Sequence, residues 1–189
     1  MHASLEAKQK IDKLKARQEL WYRGKLAWKH HAGQKIINQR FEETTRQLFV
    51  GNISRQWGKS FWAVTKAIEL CLQKPRARVK YATAFHTDLV EFIIPTFDRV
   101  LADCPAAIRP TYKVQGSKYV FSNGSEIKLI GLDRNPNSLR GNILDRIIID
   151  EAGFVSNLDY IYSSIIIPAT THRPNCKVIL ISTPPSTPA

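Results

Sequence analysis

Gln47-Leu48-Phe49-Val50-Gly51-Asn52-Ile53-Ser54-Arg55-Gln56-Trp57-Gly58-Lys59-Ser60-Phe61 is the stretch on which the fold turns. The apolar run at 47–50 reads as a strand, and residues 61–73 carry the composition of a helix. Gly58-Lys59-Ser60 therefore falls where a strand hands over to a helix, the position a phosphate-binding loop has to occupy. There Gly58 lets backbone N–H groups curl around a β-phosphate, Lys59 reaches the β and γ oxygens, and the Ser60 hydroxyl would ligate Mg2+ while the helix N-terminus points at the anion. One feature departs from the generic pattern. Five residues before Gly58 that pattern wants glycine, and the chain has Ile53.

About 90 residues further on, Arg146-Ile147-Ile148-Ile149 runs into Asp150-Glu151. The apolar run lacks alternation, as expected of a mid-sheet strand covered on both faces. Its two acids then emerge at the carboxyl end of a buried strand, the crevice where open α/β sheets bind ligands. Asp150 would hold Mg2+ beside Ser60, and Glu151 would orient or deprotonate a water for in-line phosphoryl transfer. Ser182-Thr183, ending a later strand at 177–181, would put two hydroxyls at the same sheet edge, able to sense a γ-phosphate; ordinary turn chemistry before Pro184 is the plainer reading of that pair alone.

The remaining texture alternates strands and helices, which is α/β organisation. A strand is expected at 79–82. A helix is expected at 87–102, capped by Thr87 and kinked or split at Pro95. Segments 119–121 and 126–130 flank Ser122-Asn123-Gly124-Ser125, a hairpin signal because Asn-Gly supplies positive φ. Another helix is expected at 158–169. Residues 3–31 contain no proline and have helix-forming composition, with a thin stripe of Ala7, Ile11, Leu14, Trp21 and Trp28. This segment reads either as a solvated helix laid on the domain or as an arm contacting DNA or a partner. The division expected is a basic helix or arm at 1–31, the main domain at 32–185 and the start of a linker at 186–189.

With 189 residues the chain suits one domain. Its 28 Lys and Arg against 16 Asp and Glu give a net charge of +12, and 43% of residues are apolar, so disordered and fibrous classes drop out and a polyanionic partner is indicated. No run approaches the ~18–20 apolar residues of a membrane span, which points to a soluble, intracellular protein without a membrane partner. Three cysteines (Cys71, Cys104, Cys176) and five histidines lack disulfide or zinc spacing. The cysteines are expected to be buried thiols.

In the order of its motifs the chain resembles the ATPase domain of tailed-phage large terminases, the motors that package double-stranded DNA. That family replaces the early loop glycine with a Ser-Arg-Gln signature, here Ser54-Arg55-Gln56 within Asn52–Ser60. The similarity continues through Ser122-Asn123-Gly124-Ser125, Asn137-Ser138-Leu139-Arg140-Gly141, Ile147 to Ala152 and Ile181-Ser182-Thr183-Pro184, so it covers nearly everything but the first helix. The resemblance implies an α/β P-loop NTPase of RecA-like type, with a mainly parallel central sheet flanked by helices, a β-hairpin insertion and an N-terminal helix. It implies ATP and Mg2+ as cofactors and sequence-nonspecific DNA as partner. It also implies a homo-oligomeric ring working with the portal protein and the small terminase subunit at the procapsid in the host cytoplasm. Ser54, Arg55, Gln56, Trp57, Gly58, Lys59 and Ser60 would bind nucleotide, Ser60 and Asp150 the metal, and Glu151 would act in catalysis. Ser182 and Thr183 match the family's coupling motif, and Gln34 is the match to an upstream Gln that reads the adenine edge. Two arginines compete for the transition-state role: Arg55 in cis, and Arg140, favoured by similarity, in trans on a neighbour. Large terminases usually carry a C-terminal nuclease, and the 189 residues are expected to represent the motor without DNA cleavage.

Two alternatives stay open at this level. One is a helicase-like translocase with the same loop and acidic pair. The other is a nucleotide-gated DNA-binding module that does not hydrolyse ATP.

Overall fold

The computed structural model describes residues 2–141 and 143–184, leaving out the side chains of residues 2–5; the expected linker at 186–189 lies outside the described residues. In chain order the elements are α1 (His2–Tyr22), a 3-10 turn Ala27–Lys29, α2 (Ala32–Glu43), β1 (Leu48–Asn52), α3 (Lys59–Gln73), β2 (Arg78–Thr83), α4 (His86–Asp88), a π segment Leu89–Ile93 and α5 (Ile94–Leu101). There follow β3 (Thr111–Lys113), β4 (Lys118–Val120), β5 (Glu126–Gly131), a 3-10 turn Pro136–Leu139, β6 (Arg146–Asp150), a 3-10 turn Ala152–Phe154, α6 (Leu158–Ile161), a π segment Tyr162–Ile166, α7 (Ile167–Thr170) and β7 (Lys177–Ser182).

Seven strands form one sheet in the order β1-β7-β6-β2-β5-β4-β3. The first five are parallel, and β4 and β3 extend the sheet antiparallel. The expected mainly parallel sheet and the β4-β5 hairpin are both present. β6 is covered on both faces: Ile148 joins the core built on α3 and α5, whereas Ile147 and Ile149 join the core under α6 and α7. That double coverage explains why its sequence shows no alternation. β7 lies between β1 and β6, so its end falls between the loop after β1 and the acids after β6.

Three local expectations change. The first helix ends at Tyr22 rather than near residue 31, because Gly24 takes φ +60° and its N–H bonds Trp21 O while Lys25 N–H bonds Leu20 O. This closes the helix end with the last carbonyls satisfied. A Cβ on Gly24 would meet Gln73 Cγ at 2.8 Å, so the stop is also a packing contact with α3. Trp21 in the last turn of α1 and Leu26 beyond the stop are fully buried and Lys29 pairs with Asp103, so this part of the expected arm is built into the core; residues 6–16 of α1 are exposed. Second, Thr87 does not cap its helix. The helix starts at His86, whose N–H is taken by Asp133 Oδ1 at 2.9 Å from beyond β5.

Third, Pro95 does not split its helix but is preceded by a π segment, in which Ile94 N–H bonds Leu89 O. The same device precedes Pro168, where Ile167 N–H bonds Tyr162 O. A proline has no N–H and its ring crowds the turn before it; widening that turn lets each helix continue. All three cysteines are buried, and burial raises their thiols, to about 11 at Cys104 and Cys176 and further at Cys71. Among the described residues no helix is long and apolar enough to cross a membrane.

Candidate nucleotide site

The turn between β1 and α3 is shaped by two left-handed residues, Gln56 (φ 60°) and Gly58 (φ 83°). Gly58 is required twice, because a Cβ there would also stand 2.6 Å from Gln34 Nε2. The turn aims Lys59 and Ser60, the first residues of α3, into a cleft of about 650 Å³ across the carboxyl ends of the strands. Arg55, Gln56, Lys59, Ser60, Asp150, Glu151 and Thr183 all line it.

Inside the cleft Lys59 Nζ lies 2.8 Å from Glu151 Oε1 and donates to Thr183 Oγ1 at 2.7 Å. Thr183 in turn donates its N–H to Glu151 Oε2 at 3.1 Å and its hydroxyl to the same carboxylate at 3.0 Å. Three chain segments thus meet at one cation. Glu151 adopts φ 52° and ψ 44°, left-handed for a non-glycine, as the chain swings from β6 into the next turn. Such a conformation costs of order 1–3 kcal/mol and persists where surrounding contacts fix it. Here its own N–H bonds Asp150 Oδ1 at 2.9 Å while its carboxylate is held from β7.

Asp150 is 1% exposed and accepts from Tyr81 OH at 2.8 Å and from Ser60. Burial pushes its carboxyl up; the Ser60 and Tyr81 hydrogen bonds oppose that rise, and the neighbouring Glu151 charge adds to it. Burial, followed by the Asp150 charge, pushes the Tyr81 phenol well up, so it stays a proton donor. Ser60 and Asp150 are hard oxygen donors lining the same cleft, a set that suits Mg2+, which binds through one or two carboxylates together with phosphates and water. Among the described residues no group of three or more His, Cys, Asp or Glu could hold a metal by itself, so oxygens of a bound phosphate would have to complete the shell.

Other expected residues stand differently. Gln34 is 3% exposed beneath the loop, and both ends of its amide are engaged: Nε2 donates to Gly58 O at 2.8 Å and Oε1 accepts from His31 N–H at 3.1 Å. Trp57 packs edge-on against His31 with ring centroids 5.0 Å apart, and Ser54 is exposed outside the cleft lining. Ser182 is turned away from Lys59; its Oγ accepts from Gly153 N–H at 3.0 Å and so ties the turn after Glu151 to β7. Arg55 is at the cleft. Arg140 lies in a separate groove with His172, its Nε donating to Asn137 Oδ1 at 3.0 Å and its carbonyl bound by Lys80 Nζ.

Two contributors escape a sequence reading. Tyr81 sits inside an apolar strand, and only the β2-β6 pairing brings its hydroxyl to Asp150. His31 caps α2, its Nδ1 accepting from Gly33 and Gln34 N–H groups; this leaves the proton on Nε2, which donates to Trp57 O at 2.8 Å. Helix α2 is thereby fastened to the loop through both His31 and Gln34. His31 as N-cap with Gln34 three residues on, the spacing of a capping box, was the available signal.

The profile of the family described as terminase large subunit, T4likevirus-type, N-terminal, matches residues 50–188. Among solved structures, the large terminase ATPase domain of Thermus phage P74-26 superposes with a TM-score of 0.61 at 22% identity, over 84% of this chain and 66% of that one. The large terminase of the thermophilic bacteriophage D6E, solved in complex with ADP, gives 0.62 at 12% identity over 80% and 38%. The HK97 bacteriophage large terminase gives 0.65 at 16% identity over 81% and 33%. The chain therefore shares their P-loop ATPase fold and spans just under two thirds of the first and smaller shares of the others. No curated protein sequence matches it.

Proposed function

The chain belongs to the T4-like-virus type of terminase large subunit, matching its N-terminal region, and from that premise we propose that it is the ATP-hydrolysing motor that drives duplex DNA into a phage procapsid. The observation that carries the reading is the meeting of Lys59, Glu151 and Thr183 from three separate segments within 3.1 Å of one another in a cleft at the sheet's carboxyl edge. In this reading the triphosphate enters over the N-terminus of α3, and its γ oxygens compete with Glu151 for Lys59. Once Lys59 turns to phosphate, the Glu151 carboxylate is free to take a proton from the attacking water. Bound Mg2+ would supply charge neutralisation on the phosphate oxygens, held by Ser60 and Asp150.

Thr183 touches both the cation and the base, so a change at either reaches β7 directly. Ser182 carries the same displacement to the turn after Glu151. This wiring supports the coupling role assigned to the pair. Gln34 grips the loop carbonyl, and its part in adenine reading requires its amide to exchange that bond for the base. The partners in this reading are double-stranded DNA, the portal protein and the small terminase subunit, with copies of the chain assembled as a ring at the procapsid.

Arg55 at the cleft would act in cis. Arg140, outside its own chain's cleft, reaches a γ-phosphate from a neighbouring copy. The trans assignment has a direct test in ATP turnover by mixed variants. Arg140→Ala and Lys59→Ala proteins, each inactive alone, should regain turnover when mixed, because one supplies an intact cleft and the other an intact arginine. Continued inactivity of the mixture would remove the trans assignment, and an Arg140→Ala protein that is active alone beside an inactive Arg55→Ala would return the role to Arg55.

A further inference from the structure

Strand register places Lys113 opposite Lys118, Lys118 opposite Lys128, and Lys128 opposite Lys80. Directly opposed residues point to the same face of a sheet, so these four lysines form a straight row across β3, β4, β5 and β2. Their strand neighbours Tyr112, Tyr119, Ile127, Val79 and Tyr81 point into the core on the opposite face, so the lysines share the other face, where Lys113 is exposed and Lys118, Lys128 and Lys80 are part-buried. Arg78 and Glu126 share the lysine face. The four strands therefore put five cations and one carboxylate there, and Glu126 is already engaged by Lys118 at 2.8 Å and Arg78 at 3.8 Å.

Like charges placed directly opposite one another destabilise a sheet. The Lys128 charge, after burial, helps lower Lys80 to about 8. A fold that keeps such a row loses stability in the free protein, and a polyanion laid along it would reverse the sign of that energy. At ~4.8 Å per strand the row runs about 14 Å, a length over which duplex DNA presents about eight phosphate charges. The residues these strands show on that face include no aromatic ring on which an unpaired base could stack and no Asn, Gln or extended arginine pair for base edges.

We propose that the lysine row of Lys113, Lys118, Lys128 and Lys80 is a track for the phosphate backbone of duplex DNA, read without regard to sequence. The inference rests on the packaging reading for the use of the DNA, but not for the contact itself. ATP turnover by the DNA-free chain reports on the nucleotide site, whereas DNA affinity without nucleotide reports on the row, so the two fail separately. Lys80 is best left intact in the test because its Nζ also holds the Arg140 carbonyl.

The test measures binding of two duplexes of unrelated sequence between 50 and 200 mM salt by the whole chain and by Lys113→Gln/Lys128→Gln. The variant should bind both duplexes more weakly by the same factor. Its salt slope should fall by about 1.8, so that the unsubstituted chain loses about twelvefold more affinity than the variant across that range. Its melting temperature should hold or rise, since repulsion has been removed, and DNA-free ATP turnover should not change. A Lys8→Gln/Lys10→Gln control, with the same charge change on the exposed part of α1, should keep the steeper slope. The proposal is overturned if the chain binds no duplex at 50 mM salt, if row and control variants lose affinity alike, if the loss depends on sequence, or if single strands or RNA bind more tightly and are lost equally.

Discussion

Glu151→Gln protein should bind ATP as tightly as the unsubstituted chain and release phosphate about 10²–10⁴-fold more slowly, the usual worth of a general base. The substitution replaces one carboxylate oxygen by an amide and leaves the length and the left-handed backbone of the residue as they are. Thr183 N–H and Oγ1 can still donate to the remaining carbonyl oxygen, so the geometry around Lys59 persists. Lys59 itself becomes easier to recruit, because its 2.8 Å ion pair with Glu151 is gone. ATP affinity is therefore expected to stay level or tighten while turnover collapses. Equilibrium binding together with single-turnover phosphate release checks this. A nucleotide-gated DNA-binding module would show no change in either, so the experiment also separates a motor from a conformational switch.

Lys59→Ala should act on the other half of the cycle. The side chain is 9% exposed and supplies the cation at the centre of the cleft. Without it the γ-phosphate loses its charge-assisted donor, and the loss of one such preorganised donor costs about 10²–10³ in turnover. ATP binding should weaken together with hydrolysis, a pairing that Glu151→Gln does not produce. Titration of a fluorescent ATP analogue would show the difference. Retained affinity in Lys59→Ala would mean that the triphosphate is held elsewhere.

Elements defined by local chemistry are legible in the sequence alone: the strand-loop-helix passage into Lys59, the uninterrupted apolar run ending in Asp150-Glu151, and the Asn-Gly hairpin. Each is specified by residues within a few positions of one another. Features that depend on distant partners are not legible in this way. The stop at Tyr22 needs Gly24 to meet Gln73 on α3, and the start of α4 needs Asp133 delivered from the far end of β5. The same holds in the site. Lys59, Ser60, Asp150, Glu151 and Thr183 announce themselves as motif residues, yet Tyr81 becomes a hydrogen-bond partner of Asp150 only through the β2-β6 register. Ser182 and Thr183, adjacent in sequence at and just past the end of β7, diverge because successive residues of extended chain face opposite ways: one bonds the Gly153 amide and the other meets Lys59. The lysine row is the extreme case. Positions 80, 113, 118 and 128 share no local pattern, and only the pairing of four strands aligns them.

The most direct measurement is a structure of the chain with a non-hydrolysable ATP analogue and Mg2+. The triphosphate should lie over the N-terminus of α3, with Lys59 Nζ moved from Glu151 to the γ-phosphate and the Asp150 and Glu151 carboxylates facing that phosphate. A cleft left empty, a nucleotide seated elsewhere, or a Lys59–Glu151 pair still closed beneath the bound phosphate would contradict the motor reading.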